Sequence, residues 1–182
     1  MIRIEVNIDD DQLMDSLSRL IALGRDTTPI MRGLAGIMRS AAEDAFDLER
    51  DPVTGAQWAP LNEAYKKQRY AEGYTGRTLN RTGRLRQSLS VRYGRDFALV
   101  GVNAPYAAAH QFGALTAPHI IRARFKKALS FYSRNGERVV RKAVRHPGSV
   151  IPARPFLGVG EEHKAEMREL IARRLAEAVR GG

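Results

Sequence analysis

Ile2, Ile4, Val6 and Ile8 alternate with polar residues, which predicts a strand over residues 2–8 with one buried face. From Leu13 the period lengthens, and Leu13, Leu17, Leu20 and Ile21 recur at helical spacing. Asp9, Asp10 or Asp11 can cap that helix, their carboxylates suit its positive end, and Gly24 stops it. Thr28 before Pro29 reads as an N-cap followed by proline in the first turn. Ile30, Leu34, Ile37, Met38, Ala41 and Ala45 then carry an apolar stripe to Phe46, so a second, longer helix follows. Asp51, Pro52, Gly55 and Pro60 break regular structure, and Pro60 opens a shorter helix through Tyr70 that ends near Gly73.

Residues 76–82 are loop-like, and at Leu85, Leu89 and Val91 the pattern turns from helical to strand-like. The apolar run Phe97 to Val102 suits a strand and forms a hairpin with residues 88–94, turned at Gly94 to Asp96. Tyr106 to Phe112 is long enough for one or two helical turns closed by Gly113. Between residues 128 and 144, two strand-like runs flank Arg134-Asn135-Gly136, and Asn-Gly favours the left-handed backbone of a tight hairpin. Pro147, Gly148, Pro152 and Pro155 make an extended crossing segment. Met167, Leu170, Ile171, Leu175, Ala178 and Val179 fall on one face of a final helix over residues 161–179. The expected fold is α+β: a mostly antiparallel sheet packed by N-terminal and C-terminal helices, with a protruding basic β-hairpin. The 182 residues read as one domain, in which residues 116–150 are a basic hairpin insertion.

Composition narrows the chemistry. Hydrophobic residues make up 43% and charged residues 27%, as in a folded protein. With no cysteine there is no disulfide framework, thiolate metal site or cysteine nucleophile. The first residues lack the apolar stretch of a signal peptide, and no run approaches the roughly 18 apolar residues of a membrane span, so a cytoplasmic setting without membrane contact is expected. The net charge is +10 and unevenly spread: residues 1–63 hold 6 basic and 12 acidic groups, whereas residues 64–95 and residues 116–150 each hold 9 basic and 1 acidic. Such a chain can meet a polyanion, or a copy of itself head to tail.

The histidines His110, His119, His146 and His163 lack the spacing that sets two ligands on one helix face, and no metal or other cofactor is expected. His110 beside Gln111 and Phe112 could serve as a general base, but a lone histidine near a helix end is usually structural. The carboxylates at residues 9–11 and 161–162 are accounted for as helix caps, and the glycines form no phosphate-cradling array. No catalytic residue is assigned; a small hydrolase is the third-ranked reading.

The basic segments carry more weight. Arg122, Arg124, Lys126 and Lys127 precede the hairpin, and Arg134, Arg138, Arg141, Lys142 and Arg145 line its far half. Strand alternation points Arg122 and Arg124 together, and Lys142 with Arg138 if the register is regular. A merely solvated hairpin is the plain alternative to contact with DNA phosphates or with an acidic surface on a neighbour. Aromatic interleaving is thin and no DNA-reading module is present, so sequence-specific recognition is not expected.

Four stretches then resemble, in order, the phage virion morphogenesis family, which includes Mu G-type proteins and tail-completion proteins of contractile-tailed phages. They are Gly55-Ala-Gln-Trp58-Ala-Pro60-Leu61, Leu79-Asn-Arg-Thr82-Gly83-Arg-Leu85-Arg-Gln-Ser88, Tyr106-Ala-Ala-Ala-His110-Gln111-Phe112-Gly113 and Ile151-Pro152-Ala153-Arg154-Pro155-Phe156-Leu157-Gly158. The resemblance implies a non-enzymatic structural role in the virion, in tail or neck, completing the tail and joining it to the filled head. It also implies a ring of about six copies, a hexamer, with other tail and head-tail connector proteins as partners. Non-specific contact with the packaged DNA is the alternative. Within the motifs, Trp58, Gly83, Tyr106, His110, Phe112, Gly113, Pro152, Arg154, Pro155 and Phe156 are expected to make the fold, and the hairpin's basic residues to carry the interface.

Overall fold

The computed structural model describes residues 11–125, 127–133 and 137–180. The strand expected over residues 2–8, Lys126 and the Arg134-Asn135-Gly136 turn lie outside the described residues. The class is α+β, and among the described residues the strands are distributed over four two-stranded ladders. Close contacts divide the chain into two compact units. One comprises the chain up to Arg39, Val91–Val100 and the chain from Glu161 onward; the other comprises Ser40–Ser90 and Gly101–Gly160.

The first unit is mainly helical. Helix α1 (Asp11–Arg25) and helix α6 (Glu161–Arg180) pack together, as their apolar stripes predict. Ser16 Oγ donates to the Val179 carbonyl at 2.8 Å and Arg19 Nε to the Ala178 carbonyl at 3.0 Å, so two of the orphan carbonyls at the end of α6 find donors on α1. Helix α2 (Thr28–Leu48) begins one residue earlier than its expected cap implies: Thr28 is its first residue, and the Asp26 carboxylate accepts the Thr28 N–H at 3.0 Å. That bonding, led by the Thr28 side chain, holds the Asp26 carboxyl below its ordinary pKa. Gly33 on α2 lies against Leu170 of α6.

The second unit holds the four motifs. After α2, Asp51 organises the breaker loop through its carboxylate, which accepts from Val53 N at 2.8 Å and Thr54 Oγ1 at 2.8 Å. Helix α3 (Glu63–Ala71) is opened by Asn62, whose side chain accepts from Ala64 N and Tyr65 N, and not by Pro60 as expected. A side-chain acceptor satisfies the orphan N–H groups of a first turn, which proline cannot do. Helix α4 (Arg84–Gln87) follows Gly83, which has φ 72°, and leads into β1 (Leu89–Tyr93) and β2 (Ala98–Val102), the expected hairpin. Helix α5 (Ala107–Phe112) is closed by Gly113 at φ 77°, where a Cβ would come within 3.1 Å of the Ile151 carbonyl oxygen. A left-handed φ and close backbone approach together require glycine there.

From Gly113 the chain leaves on a long hairpin arm. Strand β3 (Ala114–Thr116) pairs with β8 (Ser149–Ile151), β4 (His119–Arg122) with β7 (Ala143–His146), and β5 (Leu129–Tyr132) with β6 (Arg138–Arg141), all antiparallel. The expected hairpin over residues 128–144 is thus the outer part of a structure reaching residues 114–151, and strand β8 forms part of the segment expected to be an extended crossing. Among the described residues, no helix is long and apolar enough to cross a membrane.

Candidate functional site

The arm is rooted in a core built by three of the motifs. Phe46 of α2 packs against the Phe156 ring at 5.1 Å and edge-on against Trp58 at 5.9 Å. Burying each such ring contributes roughly 2–3 kcal/mol. Trp58 Nε1 donates to the Pro155 carbonyl at 2.8 Å, which fixes the indole over the segment that carries Phe156. Arg154, almost wholly buried, donates from Nε to the Ala59 carbonyl at 2.8 Å and through its terminal nitrogen to Pro60 at 3.0 Å. Gln111 completes the lock: its Oε1 accepts from Phe156 N and Leu157 N, both at 3.0 Å, and its Nε2 donates to the Leu157 carbonyl at 2.9 Å. The backbone of the extended segment is therefore satisfied largely by side chains, with the Arg154 N–H donating to the His110 carbonyl.

The second motif and the first basic segment are tied down in the same way. Arg69 is 2% exposed and donates to the carbonyls of Gly76, Arg77 and Asn80, clamping the loop before Gly83. Arg86 grips the Asp47 carboxylate with both terminal nitrogens at 2.7 and 2.8 Å, and Arg77 adds a bond at 2.8 Å. The hydrogen bond to Arg86 is the main reason the Asp47 carboxyl titrates below its ordinary range. Arg81 pairs with Glu72 and lies over the Tyr74 ring at 4.7 Å.

The arm is the opposite case. Ile120 stands across from Arg145 and Arg122 across from Ala143, so these four share one face of the β4–β7 ladder, and all are exposed. On β5–β6, Tyr132 stands across from Arg138 and Ser130 across from Val140; these four also share an exposed face, with Arg138 Nε donating to Ser130 Oγ at 3.0 Å. Leu115 and Val150, opposite one another on β3–β8, are 81% and 76% exposed. Phe125 is 91% exposed, with the Arg124 guanidinium over its ring at 5.5 Å. Among the described residues, no basic side chain of the arm forms an ion pair. Apolar side chains this open, interleaved with cations that form no ion pair among the described residues, make a mixed apolar and cationic surface.

The structure separates residues that strand alternation had joined. Arg124 lies beyond the end of β4, and Lys142 lies in the break between β6 and β7, so neither continues the face of Arg122 or Arg138. Arg141, opposite Leu129, points away from Arg138, and Lys127 is exposed between β4 and β5. Phe112 is 79% exposed and belongs with the arm's apolar groups and not with the core. Sequence spacing also missed His119 and His146, which face each other across the ladder with rings stacked at 5.1 Å. No spacing rule reveals a pair that only register brings together.

Tyr106, His110, Pro152 and Arg154 line a cleft of about 1100 Å³ together with residues of α3, α4 and β8. His110 meets Tyr106 edge-on at 5.9 Å, and its Nδ1 is buried without a hydrogen-bond partner. Burial, with the nearby Arg154 charge, keeps its pKa below the ordinary histidine value, so the ring is neutral near pH 7. Among the described residues no nucleophile is hydrogen-bonded to it, and no group of three or more metal-ligating side chains is assembled.

Comparison with known proteins agrees with this motif-built core. Residues 8–176 match the phage virion morphogenesis family. The chain is 35% identical to Mu-like prophage FluMu G protein 1 of Haemophilus influenzae, over 96% of each chain. It is 29% identical to the putative capsid assembly protein G of Escherichia phage Mu, again over 96% of each. FluMu G protein 2 of Haemophilus influenzae is 30% identical over 93% of this chain and 92% of its own. No solved structure matches. Four motifs in order, a core that uses them, and matches along nearly the whole length have one meaning: the chain belongs to the phage virion morphogenesis family and serves in building the phage particle.

Proposed function

We propose that this protein completes the phage tail and its junction with the head as a closed ring of copies, and that it works by binding and not by catalysis. The observation that carries this reading is the exposed face of the arm, where Ile120, Arg122 and Arg145 stand together with no ion-pair partner among the described residues. A surface that is both apolar and cationic fits a protein neighbour with a mixed apolar and acidic face, such as a second copy or another tail or connector protein. Heterologous contacts of that kind close into rings when the rotation allows.

A second reading, non-specific contact with packaged DNA, draws support from the same arginines. It leaves Leu115, Val150 and Phe125 unexplained, because phosphate contact needs no apolar groups. The phage Mu relative bears the name of a capsid assembly protein, which points toward the head side of the junction.

Electron microscopy of particles assembled without this protein separates these readings. Full heads beside finished but unjoined tails are expected. Absence of closed heads would shift the role to capsid assembly, and normal particles would end the structural reading altogether. The ring is tested by ultracentrifugation of purified protein: its size should fall as salt rises, and a size unchanged by salt would rule out an electrostatic contact.

A further inference from the structure

The arm is interrupted close to its root. Strands β3 and β8 place Thr116 across from Ser149, and β4 and β7 place His119 across from His146. The register is the same on both sides of the gap, so Ala117 and Pro118 lie across from Gly148 and Pro147 with no ladder between them. Proline has no N–H to give a ladder, and each side of the gap carries one. Gly148 adds a left-handed φ of 92°, and a Cβ on it would run into the Thr116 carbonyl oxygen. The two sides of the arm therefore come close at a place where regular pairing stops.

Two histidines bridge the interruption. His119 Nδ1 lies 2.9 Å from the Ala117 carbonyl oxygen, which can only accept, so this nitrogen carries the ring's proton. The Gly148 N–H donates to His146 Nδ1 at 3.1 Å, so that nitrogen carries none. Each ring thus reaches back past its neighbouring proline to a backbone group two residues away, and the two rings stack at 5.1 Å with 30° between their planes. A proton added to His119 goes to Nε2 and leaves its bond intact. A proton added to His146 goes to Nδ1, turns the acceptor into a donor and ends the bond from Gly148. With both rings charged, two cations stand side by side. Among the described residues nothing offsets them. The next residues on their face of the ladder are Ile121 and Val144, and the charged neighbours on the opposite face, Arg122 and Arg145, are cations. Strands β3 and β8 contain no ionisable residue. The single acid of residues 116–150, Glu137, stands just before β6, far along the arm.

We propose that His119 and His146 form an acid-sensitive joint in the arm: as neutral rings they hold the outer ladders to the root, and a proton on His146 frees Gly148 and opens the joint. Ile120, Arg122 and Arg145 lie beyond it, so the joint sets the direction in which that exposed face is presented. It works alike in a single copy and in a ring.

The chain has no cysteine, so spin labels attach only where cysteine is introduced. Labels at Lys67→Cys on α3 and Val140→Cys on β6, both exposed positions, report the distance across the joint in the full-length protein. One narrow distance is expected at about pH 8 and a shifted or spread one at about pH 5, the span over which histidine charges. His146→Asn puts a side-chain oxygen near the place of Nδ1, where it accepts the Gly148 N–H and takes no proton, so this variant should keep the narrow distance at both ends of the range. In the protein with both histidines, protection of the Gly148 amide against exchange should fall about tenfold on acidification, as loss of one hydrogen bond implies. An unchanged distance, or undiminished protection of Gly148, refutes the joint. The same acid response in the His146→Asn variant also refutes it, since His110, His163 or a general loss of structure would then be the source.

Discussion

Residues 64–95 and residues 116–150 each carry nine basic side chains and one acidic one, and the fold treats them in opposite ways. In the first segment Arg69 is buried under three carbonyls, Arg77 and Arg86 share Asp47, and Arg81 is held by Glu72. In the second, Arg122 and Arg145 stand on an open strand face beside Ile120. A charge count gives the same total for both. Only the placement of acceptors shows that members of one set hold the chain together while those of the other stand exposed, with no ion pair among the described residues.

The contrast can be broken most sharply at Arg69. Arg69→Ala strips donors from three carbonyls and leaves a hole, and should cost about 3 kcal/mol in denaturant unfolding. A loss below about 1 kcal/mol would mean that the clamp is not structural. Asp47→Asn should cost less, about 1 kcal/mol, since the pair is partly open to water. It should also change the acid limb of the stability curve. The Asp47 carboxyl is held below its ordinary value, so its contribution is fully present above the unfolded pKa of 3.8 and fades as pH falls through the lower folded value. The variant should lack that fall, and identical acid limbs would remove Asp47 from the account. Smallest of all is the effect expected in the arm. Arg122→Ala with Arg145→Ala should alter stability by no more than about 0.5 kcal/mol, yet reduce the oligomer seen by ultracentrifugation; a large stability loss with normal assembly would erase the distinction.

How far the sequence could be read follows the same division. The stripe from Met167 to Val179 and the apolar runs around Asn135-Gly136 were enough to find α6 and the outer hairpin, because long periodic segments carry their own signal. The ladder of β3 and β8 was not legible: three-residue strands whose central Leu115 and Val150 both face water have no buried side to mark them. Nor could a buried arginine be told from an exposed one, since Arg69 and Arg122 differ only in what tertiary structure brings to them. The third motif drew attention to His110, whereas the neighbouring Gln111 makes the bonds that hold Phe156 and Leu157. Asn62 at the start of α3 was missed because Pro60, two residues earlier, offers the louder signal.

One further consequence concerns the bonds from Ser16 and Arg19 to the carbonyls of Ala178 and Val179. They make α1 and α6 neighbours, so the final turn of one helix is closed by side chains of the other and neither ends alone. Shortening α6 by removing the residues from Ala178 onward should therefore quicken amide exchange in α1 as well as in what is left of α6.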